Sequence, residues 1–178
     1  TETAKPARTV LLLNGWTASG LLWPDELLEQ LGKQHVVIRV DNRGTGWSRT
    51  ASAPFTIADL ADDAARVLAR TDAGPAVVLG YSMGGMIAQE LALRHPGLVK
   101  KLVLVATRPP APTQILPAPH VVLPMLQGPQ GGETFDAYLG HLWSYQTGVG
   151  FADRKPEVLA ELVRRQMERP TPRIAAHR

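Results

Sequence analysis

The chain has 178 residues, 44% hydrophobic and 20% charged, with 19 Lys and Arg against 16 acids and a pI near 9.5, a make-up that suits one soluble globular domain with a sizeable core. The basic residues are scattered rather than gathered into a stripe, which argues against nucleic acid as the main partner. There is no cysteine, so disulfides, thiolate metal sites and a cysteine nucleophile are excluded.

The opening TETAKPARTV lacks the apolar core of a signal peptide, and no apolar segment approaches the roughly 20 residues that cross a bilayer. The expectation is a soluble, cytoplasmic protein with no membrane partner.

Val10 to Leu13 is a continuous apolar run closed by Asn14-Gly15, as in a strand buried on both faces. Trp23, Leu27, Leu28 and Leu31 then fall at helical spacing, with Pro24 suited to a first turn and Gly32 to a left-handed stop. Val36 to Val40 predicts a second strand, ended by the loop DNRGTGWS. Thr56 with Asp59 three residues on predicts a capped helix start, followed by Ile57, Leu60, Ala64, Val67 and Leu68 along one face.

Ala76 to Leu79 predicts the third strand and Met83 to Arg94 the next helix, stopped at His95-Pro96-Gly97; Leu102 to Val105 predicts the fourth strand. Alternating strands and helices imply right-handed crossovers in a doubly wound parallel sheet, with ligands at the C-terminal strand ends. The loops at Asn14, Asp41, Gly80 and Ala106 lie there.

After Thr107 a stretch rich in proline and glycine leads to two helical patterns, about Phe135 to Tyr145 and Pro156 to Met167. Tyr138, Leu142 and Tyr145 share a face of the first; Val158, Leu159, Leu162, Val163 and Met167 share a face of the second. The expected division is a partial core over 1–107 and a partial helical cap over 108–178.

The chemistry-bearing stretch is VVLGYSMGGM, Val77 to Met86. A phosphate loop is disfavoured because Met86 and Ile87 stand where a Walker loop needs lysine and a hydroxyl, and the glycines are misplaced for a dinucleotide fingerprint. Two readings remain: a glycine-rich turn that tolerates a serine, or a nucleophile elbow. The full G-x-S-x-G pattern of Gly80, Ser82 and Gly84 favours the second, because side chains two positions either side of a strained serine would collide. The amide of Met83 and the positive end of its helix then face a developing oxyanion.

With these residues the chain resembles the α/β-hydrolases. The family's strand-end His-Gly-x is approximated by Asn14-Gly15-Trp16, its Asp-x-Arg-Gly-x-Gly-x-Ser loop is matched by Asp41, Arg43, Gly44, Gly46 and Ser48, and its elbow by Gly80 to Gly85. The resemblance is strongest to the esterase and cofactor-free haloperoxidase-like branch, and it spans Val10 to Ala106. It implies Ser82 as nucleophile, the amides of Trp16 and Met83 as oxyanion donors, no cofactor or metal, and a small or medium apolar carboxylic ester as substrate. Perhydrolase-like and carbon–carbon bond hydrolysis use the same serine, and a non-catalytic binder on the same fold is the alternative class. Met125, His141 and Trp143 are candidate pocket liners, with Trp16 and Leu126 beside them.

The base and the acid are harder to place. His35 and His95 belong at the face opposite the serine, His120 and His141 in the cap, and His177 beside the last residue; no Asp or Glu occurs from Arg108 through Gly132. The resemblance implies a further segment after the cap carrying both groups. The chain is therefore expected to be truncated, with a second chain bearing the C-terminal part as a possible partner, or to have lost hydrolysis.

Overall fold

The computed structural model describes residues 8–48, 54–72, 74–109 and 118–168. Its centre is a parallel sheet of β1 (Arg8–Leu13), β2 (His35–Val40), β3 (Ala76–Tyr81) and β4 (Val99–Val105), in the order β2-β1-β3-β4. Leu11 pairs with Ile38 on one side and Val78 on the other, so β1 is interior. Its burial follows: Leu11, Leu12 and Leu13 are fully enclosed, as a strand covered on both faces requires.

The pleat sends alternate residues of β1 into two cores. Leu11 and Leu13 join Val78 and the helices α2 (Ile57–Arg70) and α3 (Met83–Arg94), through Leu60, Ala64, Leu68, Ile87 and Leu91. Val10 and Leu12 face the other way, onto Trp23 and onto Leu27, Leu28 and Leu31 of α1 (Asp25–Gly32). The sheet is thus doubly wound, as the alternation of elements predicts.

Local chemistry accounts for most boundaries. The Thr56 side chain accepts from the Asp59 amide while the Asp59 carboxylate accepts from the Thr56 amide, which caps α2 from both directions. The end of α1 departs from expectation: Gly32 stays helical, the following Lys33 keeps a right-handed conformation (φ −62°) with its amide on the Glu29 carbonyl, and the Gln34 amide reaches the Leu31 carbonyl. A left-handed stop is unnecessary because the last turn tightens instead.

After β4 the chain forms α4 (Pro119–Gln127), α5 (Phe135–Gln146), α6 (Phe151–Arg154) and α7 (Pro156–Glu168). Tyr138, Leu139 and Leu142 of α5 are buried against Met125, Phe135 and Val163. Tyr145, assigned from spacing to the same face, is 48% exposed, and on α7 the buried residue is Gln166 rather than the apolar Met167. Residues 110–117 of the proline-rich stretch, and His177, lie outside the described residues.

Candidate active site

Ser82 stands at the turn from β3 to α3 with φ 55° and ψ −121°, a region that side-chain-bearing residues rarely enter. Three glycines permit the turn. A Cβ on Gly80 would meet the Gly84 carbonyl, one on Gly84 would strike the Leu13 carbonyl oxygen, and one on Gly85 would lie 2.5 Å from the Thr107 side chain. Two bonds tie the turn to the end of β4: the Ser82 amide donates to the Val105 carbonyl at 2.9 Å, and the Thr107 hydroxyl donates to the Ser82 carbonyl at 2.7 Å. Gln89 Nε2 adds a third link, reaching the carbonyls of both Gly85 and Arg108 at 3.1 Å.

Opposite Ser82 runs the loop after β1. Asn14 is 4% exposed and serves both ends of that loop: its Oδ1 accepts from the Gly15 amide and its Nδ2 donates to the Ser19 carbonyl, each at 2.9 Å. Asparagine thus organises this loop through backbone bonds, the task its position implies. A Cβ on Gly15 would come 3.3 Å from the Ser82 Cβ, so the loop and the serine are in close approach. Thr17, two residues on, is buried and adopts φ 60°.

Asp41 holds the outside of the loop. Its carboxylate accepts from the Gly20 amide at 2.7 Å and from the Trp47 amide at 3.1 Å. Arg43 of the same DNRGTGWS loop grips Asp63 with two bonds of 2.5 and 2.7 Å and lies over the Phe55 ring. The neighbouring carboxylate raises the Arg43 guanidinium further above its usual range. These residues brace the site from behind.

Gly15, Trp16, Thr17, Tyr81 and Ser82 face Met125, Leu142, Trp143, Gln146 and Gln166 across a cavity of about 30 Å³, room for about two water molecules. Burial pushes the Tyr81 phenol up, so it is protonated at neutral pH. Of the residues singled out in the sequence, Trp16, Ser82, Met125 and Trp143 meet here. Met83 turns its side chain into the core, and its amide occupies the first position of α3, where a helix offers no internal acceptor.

His141 lies elsewhere. It does not line this cavity; its Nδ1 pairs with Glu133 Oε1 at 2.6 Å in a separate groove with Pro124, Gln127 and Tyr145, and its side chain is 73% exposed. Leu142, one residue on, takes the inward position, because consecutive helical residues point about 100° apart. Leu126 is likewise not among the cavity's liners and is 42% exposed. His95 is bound at 2.7 Å to Asp62 past the end of α3, and among the described residues no histidine lines the Ser82 cavity. The described residues also contain no His, Asp or Glu group arranged to hold a metal ion.

The sequence does not single out Thr17, Ala18, Gln146 or Gln166, which also line this cavity. Gln166 lies three positions after Val163 and four after Leu162, on the apolar stripe of α7, and that spacing was the available signal. Thr17 carried none, since its left-handed backbone is set by the folded loop.

The parallel sheet, the strained serine and the doubly tied loop together define an α/β hydrolase architecture. A model of the α/β hydrolase fold matches residues 8–150, and the chain belongs to that family. A Yersinia enterocolitica protein, RutD, whose name proposes carbamate hydrolysis, is 36% identical over 121 residues, covering 67% of this chain and 43% of its own length. The pimeloyl-[acyl-carrier protein] methyl ester esterase of Chromobacterium violaceum is 42% identical over 108 residues, covering 61% of this chain and 40% of its own. A hydrolase from Pseudomonas aeruginosa superposes with a TM-score of 0.75 at 25% identity, over 96% of this chain and 62% of that one. The chain therefore spans about two fifths of these curated relatives.

Proposed function

We propose that Ser82 is the nucleophile of a serine hydrolase that cleaves a small or medium apolar carboxylic ester. The observation that carries this is the Ser82 backbone: a non-glycine residue held at φ 55° beside a cavity, by glycines that leave no space for a side chain. Strain of this kind persists where surrounding structure over-determines it, and it concentrates at reacting groups.

In the proposed reaction Ser82 Oγ attacks the ester carbonyl and gives its proton to a base. The oxyanion takes hydrogen bonds from the amides of Met83 and Trp16, and the alcohol leaves with the proton returned from that base. Water then attacks the acyl-Ser82 by the same route and releases the acid. The helices after residue 108 act as a cap whose Met125 and Trp143 shape the acyl site.

The base and the orienting acid come from a segment beyond this chain. Two observations support that. Leu102, Val103, Leu104 and Val105 of edge strand β4 are 37–44% exposed despite their apolar character, a face that soluble proteins normally cover. The relatives and neighbours are also longer than this chain. The absence of a histidine at the described cavity favours a second reading, a ligand-binding protein without hydrolysis.

Both are tested with p-nitrophenyl esters of increasing acyl length, using the chain alone, the chain extended or complemented by the remaining segment, and Ser82→Ala in each. The hydrolase reading expects turnover only with the added segment and none with Ser82→Ala. Turnover that survives Ser82→Ala, or saturable ligand binding with no turnover in the completed protein, contradicts it.

A further inference from the structure

Gln166 is a carboxamide on the inward face of an otherwise apolar helical stripe, 5% exposed, where a leucine would fill the same space. A buried amide is costly unless its polar atoms are satisfied, and here both are. Trp143 Nε1 donates to Gln166 Oε1 at 3.1 Å, and Gln166 Nε2 donates to Thr17 Oγ1 at 3.2 Å. An indole can only donate, so the amide oxygen must face Trp143 and the NH2 must face Thr17. The chain of bonds therefore has one direction, from α5 through α7 to the loop after β1.

Its far end is the strained residue. Thr17, a β-branched residue at φ 60°, adopts a conformation it holds only under constraint, and it adjoins Trp16. The preceding residue on α7, Arg165, grips the other end of the same loop: its guanidinium reaches the Leu21 and Trp23 carbonyls at 3.5 and 3.4 Å and pairs with Asp25. Two consecutive residues of α7 thus bracket the loop, one at Thr17 and one from Leu21 to Asp25.

We propose that Gln166 is a positioning residue, whose carboxamide between the Trp143 indole and the Thr17 hydroxyl fixes the turn that presents the Trp16 amide to Ser82. Seating of α5 and α7 and readiness of the oxyanion donor are then one event. The role in catalysis rests on the reading of Ser82 and Trp16 given above.

The test uses the chain completed by the further segment, with Gln166→Met, which keeps length and removes both bonds, and Thr17→Val, which removes the acceptor from the other side; cooperative melting confirms that each folds. Phosphonylation of Ser82 by a fluorophosphonate places an oxygen where the oxyanion forms. The limiting labelling rate should fall about tenfold in either variant, with the probe's half-saturation changed by less than about twofold. The double variant should be no slower than the slower single, and Thr17→Ser, which restores the oxygen, should recover most of the rate lost in Thr17→Val. In amide and indole NMR spectra the Trp143 indole and Trp16 amide resonances should both move in Gln166→Met.

A folded Gln166→Met with a wild-type limiting rate, or with the Trp16 amide unmoved, overturns the proposal. If the completed wild-type protein is not labelled at all, the Ser82 reading falls and the NMR arm alone decides whether Gln166 sets the Trp16 turn.

Discussion

At Ser82 the backbone stores strain of about 1–3 kcal/mol, and the Val105 carbonyl, the Thr107 hydroxyl and three glycines hold it in place. Ser82→Gly should relieve it. After allowing for the glycine's greater freedom in the unfolded chain, denaturant unfolding should show a gain of about 1 kcal/mol while fluorophosphonate labelling is lost. Gly84→Ala should move stability the other way, by about 3 kcal/mol, because the new methyl meets the Leu13 carbonyl oxygen, a backbone atom that cannot rotate aside. Asn14→Ala leaves the Gly15 amide and the Ser19 carbonyl without their buried partner and should cost about 2 kcal/mol. At this scale the serine and its glycines were legible in the sequence because their spacing is itself the steric requirement. Gln166 and Thr17 were not, because a single polar residue on an apolar stripe acquires its meaning only from what folds against it.

Among the elements, α7 joins the later helices to the loop after β1, and its attachment is electrostatic at one end. The Arg164 and Arg165 guanidiniums hold the Glu161 carboxyl down to about 2, against an ordinary 4.5, and the Arg165 bond likewise lowers Asp25. A carboxyl lowered by folding stabilises the native state above its unfolded value and loses that contribution as pH falls through the folded one. The Tm difference between wild type and Glu161→Gln should therefore be present above about pH 4.5 and shrink toward zero near pH 2, and salt should weaken it because the group is exposed. A difference that grows on acidification contradicts the assignment. The strands and the helices of the core followed from apolar runs and caps. The helix α4 did not: Pro119 and Pro124 disguise it, yet Pro119 sits in the first turn, where proline is tolerated. The Tyr138 hydroxyl donates to the Pro124 and Met125 carbonyls at 3.2 Å and ties α4 to α5. That contact lies outside any local pattern.

Among the described residues the fold is a doubly wound sheet with two edge strands, β2 and β4. β1 and β3 are interior, an order that the alternation of elements alone does not fix, whereas β4 presents Leu102 to Val105 to solvent. An edge of this kind pairs with whatever strand is available, so the chain alone should self-associate in sedimentation velocity. Val103→Lys should shift it toward monomer, and addition of the further segment proposed above should suppress association in the wild type. No described helix is long and apolar enough to cross a membrane. No base or acid for Ser82 was legible in the sequence, because a side chain that meets a site from a distant element does so through tertiary folding, which local spacing does not record.

The central claim is that the elbow holds Ser82 as a reacting group. Incubation of the chain, completed by the remaining segment, with a fluorophosphonate, followed by intact mass and peptide mapping, tests it most directly. The account predicts a single adduct on the peptide containing Ser82, absent from Ser82→Ala. A completed, folded protein that stays unlabelled, or that carries the adduct elsewhere, contradicts it.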